Sequence, residues 1–252
     1  LAAALLAFVP YAHAAPLAEA ANKTILANDF GAKGDGTTLD TAAIQRAIDT
    51  AAPLGETVSF KPGIYLIGAI FLQSGVTFEV PEGVTLTGSQ HIEDFPERAT
   101  RIAGIEMSWP AALINIRDAH DVTLTGKGTI DGNGSIWWKL YKDLRAGYEP
   151  KGLRWASDYD AKRIRLSLVQ NSYNVRIGGG LTLKRSGFWT MQVLYSHDVV
   201  VDGVTIRNNE DGKGPSTDGI DIDSSRLIDV SHADIEVNDD ALCLKAGRDS
   251  DG

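Results

Sequence analysis

The sequence predicts an all-β fold, a right-handed parallel β-helix with a short N-terminal capping helix, and three observations predict it. An apolar pattern recurs: Val175, Ile177, Leu181 and Leu183 are echoed by Val199, Val201, Val204 and Ile206, and again by Ile228, Val230, Ala233 and Ile235, with 24 residues from Val175 to Val199 and 29 from Val199 to Ile228. Steps in the twenties, made of short strands, mark the coils of a solenoid in which each turn buries its inner face on its neighbours. Asn-Gly and Asp-Gly pairs, which would join the hairpins of a β-sandwich, are sparse. Finally, the first coil of such a stack is an open sheet edge that needs cover, and one stretch near the start has the period of an amphipathic helix.

In chain order, Leu1 to Val9 is an apolar run too short to span a bilayer, and Ala12-His13-Ala14 after it is a small-x-small cleavage pattern. Residues 1–14 are therefore expected to be part of a secretory signal peptide, 15–24 a linker, and 25–252 the β-helix domain, truncated at its C-terminus; export to the periplasm or medium follows. Gly31, Gly34 and Gly36 punctuate a loop, Asp40 is placed to cap a helix, and Ile44, Ala47, Ile48 and Ala51 form its apolar stripe, which predicts a helix over 41–51. From about residue 55, segments such as TVSFKPGIYLIG and VTFEVPEGVTLTG alternate apolar residues with turn signals. The stretch 132–163 lacks strand periodicity and reads as a long irregular loop, pinned by its own aromatics at Trp137 and Trp138, and in a position to wall off one end of a cleft.

Composition narrows the function. A net charge of −9 argues against nucleic acid as a partner, because phosphate binding needs a basic face. No segment after the first is apolar for long enough to enter a membrane. The single cysteine, Cys243, excludes an internal disulfide and a multi-cysteine metal site; it reads as a small strand residue. A monomer is expected.

The chemistry is concentrated in two stretches, STDGIDIDSS (residues 216–225) and NDDALCLKAG (residues 238–247). Aligned with an offset of 22, Ile220 meets Leu242 and Ile222 meets Leu244 as inward residues, and Asp218 falls on Asp240 with Asp239 beside it. Neighbouring parallel strands lie ~4.8 Å apart, so these carboxylates are expected to crowd. Side chains alternate along a strand, which would send Asp218 and Asp240 inward with the isoleucine and leucine. A bare buried carboxylate is too costly for that, so the chain is expected to turn there and face them out at a corner. One coil earlier, an offset of 29 adds Trp189 to the column. An aromatic plate beside paired acids suits a sugar: the ring stacks, and crowded carboxylates split into an acid and a base. Solvated turn residues or a Ca²⁺ cage are the alternatives, and RDSDG near the end resembles only part of a calcium loop.

The paired motifs STDGID and NDDALCLKAG resemble those of the polygalacturonases, glycoside hydrolase family 28, and NDFGAKGDGTTLDTAAIQRAID resembles the N-terminal cap shared by many pectin-degrading β-helix proteins. The resemblance spans roughly residues 25–252. It implies inverting hydrolysis of α-linked galacturonic acid in an acidic polysaccharide such as galacturonan or rhamnogalacturonan, without a metal or other cofactor. Carried over, Asp239 matches the general acid, and Asp218 and Asp240 match the pair that activates water. Lys245 is placed to meet a substrate carboxylate. Ser216 stands where the family usually has asparagine, which bears on a substrate-binding subsite. The family's G-H-G and R-I-K motifs are absent, and with them the histidine and cations that hold the uronate, so this length of chain is expected to be inactive alone. A calcium-dependent pectin-type lyase and a non-catalytic carbohydrate-binding β-helix are the competing readings, and exo action is one outcome if 132–163 closes the cleft.

Overall fold

The computed structural model describes residues 23–251; the expected signal segment and most of the expected linker lie outside them. Three parallel sheets wind around one core, two of seven strands and one of six. The predicted repeat is the observed register: Val175 pairs with Val199 and Val199 with Ile228, and Leu183, Ile206 and Ile235 follow one another in the next sheet. Inward residues of successive coils form fully buried columns such as Val122, Val175 and Val199. Each such side chain removed from water contributes about 1.5–3 kcal/mol, so the core is built by repetition.

Helix α1 spans Thr41–Ala51, as predicted, and buries Ala43, Ile44, Ala47, Ile48 and Ala51 over the first coils. Two details differ. Asp40 makes no side-chain bond to the helix; its carboxylate takes the N–H groups of Lys33 and Gly34 at 2.7 and 3.0 Å and fastens the preceding loop instead. Coiling also starts before the helix, because Thr24–Leu26 already pairs with Thr57–Ser59. The stretch 132–163 is not irregular: it holds α2 (Ser135–Tyr148) and α3 (Ala156–Asp160). Trp137, Trp138 and Tyr141 of α2 are buried, and the Trp138 indole donates to the Ser186 carbonyl at 2.8 Å. Among the described residues, no helix is long and apolar enough to cross a membrane.

The six-stranded sheet positions the site. Its strands are Ile70–Leu72, Ile114–Arg117, Ser167–Gln170, Met191–Leu194, Ile220–Asp223 and Leu242–Lys245. After each of four consecutive strands, the next residue turns the corner in left-handed backbone: Asp118, Asn171, Tyr195 and Ser224, with φ between 48 and 51°. Before the strands the chain is free to wander, and there it inserts both the α2–α3 segment and an antiparallel hairpin, Glu97–Ile102 with Ile105–Pro110. The hairpin tip, Ala103-Gly104, has positive φ at both residues (45 and 84°), the two-residue turn whose twist suits antiparallel strands. It has no Asn-Gly or Asp-Gly signature, and the sequence reading missed it.

Candidate active site

The outward residues of the six-stranded sheet form a column in register: Asn115, Leu168, Gln192, Asp221 and Cys243. The first four are fully buried although they face away from the core, and over Gln192 the cover is the hairpin. Its Arg101 donates to Ser224 Oγ at 2.9 Å, sits 3.5 Å from Asp223 and covers the Tyr195 ring at 4.8 Å. Gln192 answers by donating to the Arg101 carbonyl and to Asp223, both at 3.2 Å. The Trp109 indole, on the return strand, donates to the Arg163 carbonyl at 2.8 Å. The acids gather beyond this roof.

The predicted register holds. Ile220 pairs with Leu242 and Ile222 with Leu244, and Met191 lies under Ile220. The ladder continues backwards through Gly219 N–H to the Asp240 carbonyl at 2.8 Å and Thr190 N–H to the Asp218 carbonyl at 2.8 Å, so Trp189, Asp218 and Asp240 do occupy one column. Asp218, Asp239 and Asp240 each offer a carboxylate oxygen, and the three lie within 4.8 Å of one another. A divalent cation would also accept that spacing, but the ammonium of Lys245 already stands 3.0 Å from Asp218 and 3.1 Å from Asp221.

Three expectations need correction. Asp218 turns off the inward column as expected, yet it is only 3% exposed: Lys245 and the preceding loop cover it, and the ion pair stands in for water. Trp189 is not an open plate. Phe188 stacks on it at 4.5 Å with planes 18° apart, and the Lys245 ammonium lies 4.7 Å from its centre. Lys245 is neither solvated nor free to meet a substrate, because Asp218, Asp221 and Trp189 already surround it. Asp239 and Asp240 are exposed, at the mouth of the site.

Two residues were overlooked. Asp221 is fully buried, and neither oxygen accepts a well-aligned hydrogen bond from the described residues. Burial, then the Asp218 carboxylate, pushes its pKa up to about 8, against the pull of Lys245. Asp218 is also raised, by burial first; Lys245 opposes and Asp239 adds. Burial works against the Lys245 charge, but Asp221 and Asp218 outweigh it and hold the proton more tightly than usual. The second overlooked residue is Arg163, fully buried with its guanidinium between the rings of Tyr141 and Phe188 at 4.2 and 4.3 Å. Burial brings its pKa down to about 10, against the attraction of Asp158, Tyr141, Asp218 and Asp239. It donates to the Pro215 carbonyl at 2.8 Å and to Ser216 Oγ at 3.3 Å. Ser216 itself is held at φ 56°, a conformation asparagine adopts more readily than serine, and the arginine bonds fix the loop that delivers Asp218. The parity of STDGID places Asp221 on the outward face; that it is nonetheless fully buried, beside Lys245, is not legible in the motif.

Comparison with known proteins follows the same outline. The profile of glycosyl hydrolases family 28 matches residues 67–250, and that of rhamnogalacturonase A/epimerase, pectate lyase-like proteins matches residues 25–95. An exo-poly-α-D-galacturonosidase of Dickeya chrysanthemi is 29% identical over 91% of this chain and 43% of its own length. A probable polygalacturonase of Vitis vinifera is 29% identical over 89% of this chain and 44% of its own. The chain thus spans less than half the length of these relatives. The crystal structure of a hyperthermoactive exopolygalacturonase from Thermotoga maritima superposes with a TM-score of 0.79 at 25% identity, over 91% of this chain and 56% of that one.

Proposed function

This chain belongs to family 28 of the glycosyl hydrolases, and on that premise we propose that the protein hydrolyses the glycosidic bonds of α-linked galacturonic acid in pectin-type polysaccharides, with inversion at the anomeric carbon. The observation that carries the reading is the meeting of Asp218, Asp239 and Asp240 within 4.8 Å beside a lysine that balances their charge. Asp239, exposed at the mouth, is the acid that protonates the leaving oxygen. Asp218 and Asp240, stacked on adjacent strands, hold the attacking water. Asp218 uses Oδ2 on Lys245, while Oδ1 is buried and has no donor among the described residues. The trio is tighter than the ~6.5–9.5 Å usual between the two carboxyls of an inverting enzyme, which is why Asp218 and Asp240 are given one shared task.

The roof supports attack at a chain end. A polymer lying along the six-stranded sheet would run into the hairpin over Gln192, so the cleft is closed on its N-terminal side. The relative from Dickeya chrysanthemi bears an exo-acting name. We also propose that the protein works as an exported monomer, the Leu1–Val9 run with Ala12-His13-Ala14 directing cleavage; N-terminal sequencing and light scattering of the secreted protein test both points.

Product analysis on homogalacturonan tests the main reading. Monogalacturonate as the early product, released with inverted configuration, is expected. Retained configuration overturns the division of roles, an unsaturated product absorbing in the ultraviolet indicates a lyase, and binding without turnover indicates a carbohydrate-binding protein.

A further inference from the structure

A cavity of about 450 Å³ opens at the edge of the roof, lined by Trp155, Ala156, Tyr159 and Arg248. Its walls come from three separate parts of the chain. Trp155, Ala156 and Tyr159 belong to α3 and the residue before it, Arg248 follows the last strand of the six-stranded sheet, and the hairpin tip joins them. Tyr159 OH donates to the Ala103 carbonyl at 3.3 Å, Arg248 N–H to the Gly104 carbonyl at 3.0 Å, and Arg248 Nη1 to Tyr159 OH at 3.1 Å. The spot is linked to the carboxylate site along the chain and through packing. Arg248 lies three residues beyond Lys245, whose ammonium rests on Asp218, and Tyr159 packs on the cluster of Ile102, Trp109, Phe188 and Trp189 that forms the floor beneath Lys245.

Two side chains there are largely exposed. Trp155 is 69% exposed, with Arg154 over its ring at 4.1 Å. Arg248 is more than half exposed; its Nε lies 3.3 Å from Asp249 and its Nη1 donates to Tyr159, with Nη2 outside both contacts. An open indole beside a guanidinium suits a flat, anionic ring: the indole covers an apolar face, and the planar fork takes a carboxylate through paired N–H groups. The same requirement is otherwise unmet at the site, since Lys245 is fully engaged with Asp218 and Asp221.

We propose that this cavity is the subsite for the terminal uronic acid of the polysaccharide, with Trp155 as its stacking platform and Arg248 as the residue that selects its carboxylate. The inference rests on the hydrolase reading above and adds to it: the roof stops the chain end, and Arg248 makes that end acidic by preference.

The test uses the full-length protein, trigalacturonate and its methyl ester. In an Asp239→Asn background, calorimetric affinity for trigalacturonate should fall ~10- to 100-fold with Arg248→Gln, the loss of a charge-assisted pair, and ~3- to 10-fold with Trp155→Ala. Affinity for the methyl ester should be unaffected by Arg248→Gln, and Arg248→Lys should restore part of the loss for the acid. In the active background KM should rise by similar factors while kcat stays within about threefold. Thermal unfolding of each variant separates a folding defect, and Arg248→Lys, which keeps charge and bulk, guards against one. Unchanged affinity in both variants, or equal loss for acid and ester, overturns the proposal. Failure of the unmutated protein to hydrolyse galacturonan would instead overturn the hydrolase reading, and the binding comparison still decides the subsite.

Discussion

The outer face of the six-stranded sheet has two ends that the same pleat builds and different cover separates. At one, Asn115, Gln192, Arg165 and Asp221 are polar and buried; at the edge, Asp239 and Asp240 are polar and open. Covered groups must be answered by the protein. Asn115 accepts the Ala112 N–H at 3.0 Å and donates to the carbonyls of Ile70 and Ala112 at 3.1 and 2.6 Å, and Arg165 reaches Gln192 and Thr100. Burial first, and then Arg117, brings the Arg165 pKa down to about 9, with Asp221 opposing. Open groups keep lone pairs for a ligand. Asp218 sits on the boundary: Oδ2 is paired with Lys245, and Oδ1 is buried without a donor among the described residues. Cover, more than residue type, thus separates structural from reactive polar groups on this face.

The sharpest way to break that contrast is at its open end. Asp239→Asn in the full-length protein should lower kcat by roughly 10²–10⁴-fold, the worth of a general acid, and leave KM nearly unchanged; a reducing-end assay showing normal turnover would remove Asp239 from the mechanism. At the covered end, Asn115→Ala should cost stability and not chemistry: about 1–3 kcal/mol in urea unfolding, because buried backbone groups lose their partner, with kcat intact. A fall in kcat without a fall in stability would show that the covered end reacts too. The boundary is probed by pH. Between the ordinary carboxylate value of 3.8 and about 8, folded Asp221 holds a proton that the unfolded chain has released, so stability falls as pH rises through that window. Asp221→Asn has no such proton, and its Tm should drop less than the wild type's between about pH 5 and about pH 8; parallel curves would mean that Asp221 ionises freely. The smallest effect belongs to another sheet. His120, Tyr173 and His197 stack in register on its exposed surface, with ring centres 5.1 and 5.3 Å apart. Tyr173→Ala should cost about 0.5–1.5 kcal/mol and leave activity alone, and an activity loss there would extend the functional surface beyond the cleft.

The repeat was legible because it is local. Val199 and Ile228 announce their coils by spacing alone, and the same spacing stacked Asp218 on Asp240 correctly. The helix at 41–51 followed from its stripe. What stayed hidden depends on cover by distant segments. Nothing near Trp189 says that Lys245 will lie over its ring, and nothing near Asp221 says that the same lysine will stand 3.1 Å from it in a fully buried setting. Residues 132–163 misled for a different reason. Their aromatics at 137, 138 and 141 have helical spacing, but with Gly134 and Gly152 at either end and charged residues between, the strand reading failed and no helical one replaced it.

The left-handed corners at Asp118, Asn171, Tyr195 and Ser224 have an evolutionary consequence. A non-glycine residue held there costs roughly 1–2 kcal/mol, and the chain meets that cost coil after coil, tyrosine and serine included. In return each coil re-enters the winding at the same angle, whatever preceded its strand. Insertions ahead of the strands can therefore be exchanged, lengthened or deleted as cassettes, without a ripple passing into the next turn. A lineage built this way can reshape the cover of its sheet by editing the hairpin and the α2–α3 segment, while the acids, two or more coils further on, keep their alignment.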